Sequence, residues 1–145
     1  MISNNVHVLA SGRPAAQLIL ADRSQTDSAI AVRAIRRLFS DLEVRPVTNL
    51  AEAERVLACT RRATTLVASA LDGKTCQQTI RWFARQRRGV VVAMLDNCED
   101  RHRQEALAAG ASYVCSKPEL LVAQLRYELA ATLKGAAQEF AWMTG

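Results

Sequence analysis

A chain of 145 residues, half of them hydrophobic and 23% charged, suits one domain that buries roughly two-thirds of its unfolded surface, and is too apolar to be largely disordered. Its net charge of +5, from 19 Lys and Arg against 14 Asp and Glu, permits an acidic partner without demanding one. No apolar run approaches the ~18 residues of a membrane span, and the amino terminus lacks the basic-then-apolar layout of a secretory signal, so a cytoplasmic protein with no membrane partner is expected.

Residues 1–15 are polar, with Gly12 and Pro14, and are expected to form a flexible extension ahead of a folded domain over 16–134. Gln17–Ala21 is a buried apolar strand ended by Asp22. Ser24 with Asp27 three residues on resembles a capping box, and the helix it opens carries Ala31, Ile35, Leu38 and Phe39 on one side and Arg33, Arg36 and Arg37 largely on another. Val44–Thr48 is a second strand, at an edge because Pro46 has no N–H to donate. Asn49 and Glu52 form another capping box, for a helix through Leu57.

Thr65–Ala68 is a third strand, and Ser69–Gly73 the loop after it. A helix from about Thr75 to Gln86 points Ile80, Phe83 and Ala84 inward, with Trp82 half exposed and open to a partner. Arg85, Arg87 and Arg88 then read as a solvated basic loop. Val90–Met94 has the continuous apolar character of a strand buried on both faces, Asp96–Asp100 is a polar loop, and a short helix stops at Gly110. Tyr113–Cys115 is the fifth strand, closed by Ser116 and Lys117. Pro118 opens a helix at the position where its missing N–H costs nothing, and Leu121, Leu125, Leu129 and Leu133 give that helix one packing face. Residues 135–145, with Phe140 and Trp142, are a helical extension or a connector.

Strands alternating with helices imply right-handed crossovers, a mostly parallel sheet and helices on both faces. Ligands and charges collect at the carboxyl ends of the strands in such a sheet, where Asp22 and Lys117 fall. Cys59, Cys76, Cys98 and Cys115 show no CxxC pairing and lie in or beside apolar runs, so core thiols in a reducing compartment are expected. His7 and His102 lack metal-ligand spacing, and neither GxGxxG nor a P-loop occurs, which argues against a nucleotide or nicotinamide enzyme.

From Val90 to Leu133, the apolar strand, polar loop, helix ending in ALAAGAS, short strand, Lys-Pro and leucine-striped helix resemble the second half of a response-regulator receiver domain. LILAD and the amphipathic helix after it are similar to that family's opening, so the resemblance covers about residues 17–133. It implies a flavodoxin-like, doubly wound five-stranded parallel sheet in the order 2-1-3-4-5, and it allows a cis Lys117–Pro118 bond. Receivers move a phosphoryl group from a partner histidine onto an aspartate after the third strand. Mg²⁺ on acids after the first strand, a hydroxyl after the fourth and a lysine after the fifth offset the charge on the transferring group.

Carried over position by position, most of that machinery is missing. The acidic pair becomes Ala21 and Asp22, the phosphoacceptor position falls on Ser69, and the hydroxyl position falls on Leu95; only Lys117, with Pro118 after it, matches. A serine phosphoester is stable, and no nearby histidine would activate Ser69. Asp72 is the better rescue candidate, because sliding the third strand by three residues would bring its carboxylate to the pocket rim. Asp22 and Lys117 are read as a structural ion pair, with a small-anion site as the rival.

The reading is therefore a non-enzymatic degenerate receiver, without cofactor and with weak or absent Mg²⁺ binding, acting as a phosphorylation-independent interaction or dimerisation module. In this family, partners commonly bind the face made by the fourth helix, fifth strand and fifth helix, which here points to Arg101, Arg103, Glu105, Glu119, Gln124 and Arg126. Similar degenerate receivers stand at the front of RNA-binding antiterminators and pilus-localising ATPases. Two rivals are a working phosphoacceptor at Asp72 and a basic nucleic-acid-binding regulator. Nucleic acid is not expected as a partner, because aromatic residues interleaved with the basic ones and a recognisable reading helix are both lacking.

Overall fold

The computed structural model describes residues 17–116 apart from 39, 41, 61 and 98. Along it run β1 (Gln17–Ala21), α1 (Gln25–Leu38), β2 (Glu43–Val47), α2 (Leu50–Ala58), β3 (Thr64–Val67), α3 (Cys76–Gln86), β4 (Val91–Leu95), α4 (Asp100–Ala109) and β5 (Tyr113–Ser116). All four strand pairings are parallel, and the order across the sheet is β2-β1-β3-β4-β5. That is the expected doubly wound architecture. The leucine-striped segment after Pro118 and both terminal extensions lie outside the described residues.

Position in the sheet explains strand composition. The three inner strands, QLILA, TTLV and VVAML, are almost wholly buried because helices cover both faces, whereas β2 (EVRPV) exposes Arg45 and Pro46 at the edge. Alternate residues feed two cores. Ile19, Ala21, Val67, Val91 and Ala93 pack with Leu57, Ile80, Phe83 and Ala106 from α2, α3 and α4. On the other face, Leu18, Leu20, Leu66, Val92 and Met94 pack with Val32 and Ile35 of α1.

Strand boundaries sit within one residue of the sequence reading, and the differences follow from pairing. The third strand, for instance, is fixed by the register Leu18↔Thr64 to Ala21↔Val67. Of the two anticipated capping boxes the N-cap half forms in each: the Ser24 hydroxyl accepts from Asp27 N–H (3.2 Å) and Asn49 Oδ1 from Glu52 N–H (2.8 Å), whereas Ser24 N–H donates to Asp22 and the Glu52 carboxylate accepts from the Thr48 and Asn49 side chains. A third, not anticipated, is the full capping box of α3, where the Thr75 hydroxyl accepts from Gln78 N–H and the Gln78 side chain accepts from Thr75 N–H.

Among the described cysteines, Cys59 departs from the expected core placement. Cys59 is exposed at the carboxyl end of α2, and Cys76 and Cys115 are half-buried at the margins of the two cores. Apolar neighbours in sequence do not set helical phase: Leu57 takes the buried position, and Cys59, two residues on, falls past the packed face.

Candidate functional site: the carboxyl ends of the strands

Asp22 follows β1 immediately and is only 2% exposed. Its N–H donates to Val47 O (3.1 Å), which extends the β1–β2 ladder by one residue and fixes the side chain at the strand ends. Carboxylate Oδ1 accepts two hydrogen bonds, from Ser24 N–H (3.0 Å) and from the Ser69 hydroxyl (3.0 Å). Ser69 Oγ in turn accepts from Arg23 N–H (2.8 Å). Ala68 N–H donates to Ala21 O (2.8 Å), so the chains leaving β1 and β3 are tied together by backbone and side chain.

This local chemistry follows from Ser69 being a serine. A hydroxyl both donates and accepts, so it satisfies Asp22 on one side and the Arg23 amide on the other. A carboxylate at the same place could accept from the amide but would oppose Asp22. Chemically, the arrangement can clamp two loops.

Leu95 lies at the end of β4, level with Ser116 of β5, and is half-buried against the core formed with α2, α3 and α4. The half-buried Ser116 thus puts a hydroxyl on the neighbouring strand, a placement that depends on register and is invisible in sequence. Lys117 and Pro118, including the question of a cis bond and of an Asp22–Lys117 ion pair, lie outside the described residues.

Asp72 is turned elsewhere. The β3–β4 register runs Thr65↔Val91 to Val67↔Ala93, which puts Ser69 two residues past the strand and Asp72 five. Asp72 is exposed, has φ +53°, and its Oδ2 accepts from Leu50 N–H (3.0 Å), one of the orphan amides at the start of α2. Thr79, fully buried, fixes the same loop: its hydroxyl accepts from Leu71 N–H (3.1 Å) and donates to Thr75 O (3.0 Å). Its only sequence signal was a β-branched polar residue one turn into a helix. Replacing Asp72 with alanine is expected to cost about 0.5–1 kcal/mol through the lost α2 contact, a fall of a few degrees in thermal midpoint. An unchanged midpoint would show that water replaces the contact fully.

On the face anticipated for partners, Arg101 and Arg103 are exposed. Glu105 is half-buried, accepts from the Gln77 side chain of α3 and pairs with Arg101 at 3.2 Å, so internal contacts hold it. Two residues on this side that the sequence reading passed over are Leu107 and Tyr113, 43% and 36% exposed. Leu107 follows Arg103 by one helical turn, a spacing that could have flagged it. Glu119, Gln124 and Arg126 lie outside the described residues.

No protein-family model and no curated protein sequence matches the chain. Solved structures with the same fold are numerous. The signal receiver domain of a DNA-binding response regulator from Colwellia psychrerythraea 34H superposes with a TM-score of 0.68 at 14% identity, over 82% of this chain and 98% of its own. A CheY-like response-regulator receiver domain from Methanospirillum hungatei JF-1 gives 0.67 at 14% identity, over 87% and 99%. A putative pilus assembly-related protein from Burkholderia pseudomallei gives 0.61 at 15% identity, over 80% and 90%. The strand order and the flanking helices are those of receiver domains, and at these identities the likeness establishes the fold.

Proposed function

We propose that the chain is a degenerate receiver domain that has given up phosphoryl transfer and serves as a phosphorylation-independent interaction or dimerisation module in cytoplasmic signal transduction. The observation that carries this reading is the Ser69–Asp22 hydrogen bond of 3.0 Å. Where a receiver presents a phosphoacceptor carboxylate beside a metal-binding acid, this chain has a hydroxyl engaged by that acid and by Arg23 N–H.

The donor set does not fit Mg²⁺. The ion wants near-octahedral oxygen ligation. Here the partner of the acidic pair is the buried Ala21, Asp22 Oδ1 is committed to two protein donors, Leu95 is apolar, and Asp72 is occupied by Leu50 N–H. No group of three or more metal-ligating side chains exists among the described residues. The module is accordingly proposed to be non-enzymatic, with its partner, protein or second copy, meeting the side that carries Arg101, Arg103, Leu107 and Tyr113. An exposed leucine one helical turn from an exposed arginine, Leu107 and Arg103, suits a protein surface.

The test is titration with acetyl phosphate or beryllofluoride in millimolar Mg²⁺, following amide resonances of Asp22–Ser24 and Ser69–Asp72 and the intact mass. No saturable shift and no adduct are expected. A saturable response, or an aspartyl phosphate on Asp72, would instead establish the rival reading of a rearranged phosphoacceptor.

A further inference from the structure

From Arg55 to Leu95 the chain holds a single acidic residue, Asp72, against seven arginines and a lysine. Asp72 is spent at the amino end of α2, on the carboxyl side of the sheet. The helices run back against the strands, so the end of α3 and the loops before β3 and β4 come together at the opposite, amino edge. There Ala63 N–H donates to Arg88 O (2.9 Å), Arg88 Nη1 donates to Thr60 O (3.4 Å), and Thr65 N–H donates to Val90 O (2.9 Å). Arg81 and Arg85 are one turn apart on α3, and with Arg87 and Arg88 they are exposed; Arg62 lies half-buried on the adjoining loop. Among the described residues, none of Arg81, Arg85, Arg87 and Arg88 has a carboxylate within ion-pair distance.

The carboxyl-end dipole of α3 accounts for one cation there, not for four. We infer that this arginine pole binds the phosphodiester backbone of a nucleic acid without reading its sequence. What favours that occupant over an acidic protein is the lack of an apolar centre: protein interfaces are built round one, and among the described residues the exposed large hydrophobic ones, Ile30, Leu107 and Tyr113, all lie on other elements, while Trp82 of α3 is half-buried and packed against the core. The planar fork of arginine suits phosphate oxygens as it suits a carboxylate. The expectation of no nucleic-acid partner rested on missing base-reading features, which backbone binding does not need; the pole itself appears only when the fold brings the 60–63 and 87–90 loops into contact. The inference is independent of the phosphorylation reading, since the pole lies at the other end of the strands.

The test uses the full chain and fluorescein-labelled single strands of mixed sequence, one RNA and one DNA, with anisotropy read across a salt series. Four phosphate contacts predict a slope of log K against log salt of about −3, at about 0.7 per contact for single strands, and equal slopes for different sequences. Arg81→Gln/Arg85→Gln/Arg87→Gln leaves Arg88 to its Thr60 contact; it should reduce the slope to about −1 and weaken binding at least tenfold at low salt. Arg33→Gln/Arg36→Gln, exposed on α1 across the sheet, should leave both unchanged. A triple variant with an unreduced slope, an equal loss in the α1 variant, no binding of either strand, or displacement by poly-glutamate as effective as by unlabelled strand would each overturn the inference. A far-UV spectrum matching the parent confirms that the variants fold.

Discussion

Gly89→Ala is expected to lower the thermal midpoint by on the order of 10–15 °C, corresponding to about 3–5 kcal/mol. Gly89 has φ +153°, a conformation closed to L side chains, and a Cβ there would stand 2.1 Å from Ala63 O and 2.9 Å from Ala63 C. Backbone atoms cannot swing aside as a side-chain tip can. Nor can the loops separate, because Ala63 N–H is bonded to Arg88 O on one side of Gly89 and Thr65 N–H to Val90 O on the other. Relief of the clash would break β3 from β4 in the middle of the sheet. Gly73→Ala is the control: φ is +71° with nothing within 4 Å of the new Cβ, so only the conformational cost of about 1 kcal/mol applies. Similar midpoints for the two variants would mean that the 63–89 approach is soft. The arginine pole would then be a loose surface.

Most of the architecture was legible because the signals were local and redundant. QLILA, TLVA and VVVAM are apolar runs too short for helices, Pro46 marked an edge, and Asn49–Glu52 and Gly110 marked helix ends. What stayed hidden depends on register. A count of residues could place Ser69 after the third strand, yet only the pairing Ala21↔Val67 shows that its hydroxyl meets Asp22 rather than solvent. The Asp72 alternative was open for the same reason: on a string, three residues of slide are cheap. In the sheet the slide would unpair four buried residues of β3, Thr64–Val67, and strip α2 of its Leu50 contact. Arginines 85, 87 and 88 looked like an ordinary solvated loop because their neighbours across the 60–63 turn are more than twenty residues earlier in the chain.

Ser69→Asp is expected to destabilise the chain by about 2–4 kcal/mol in the absence of divalent cations, with part of that loss recovered in millimolar Mg²⁺. The hydroxyl now donates to Asp22 Oδ1 at 3.0 Å. A second carboxylate removes that donor and sets two like charges side by side; at an effective dielectric constant of ~20 and a separation of ~4 Å they repel by about 4 kcal/mol. Proton uptake or side-chain rotation can relieve part of this, which sets the lower end of the range. Arg23 N–H still has an acceptor, so the cost falls on the Asp22 side alone. Two carboxylates also begin to make a hard-cation site, and a ligand that binds only the folded state raises stability as its concentration exceeds its dissociation constant. Thermal melts of parent and variant in EDTA and in Mg²⁺ give the four midpoints needed. The parent should be indifferent to Mg²⁺, because Asp22 Oδ1 already accepts from Ser24 N–H and the Ser69 hydroxyl and no second carboxylate stands beside it in the clamp. A rise in the parent's own midpoint with Mg²⁺ would show that the site still takes the metal, and the proposed loss of phosphoryl transfer would lose its physical basis.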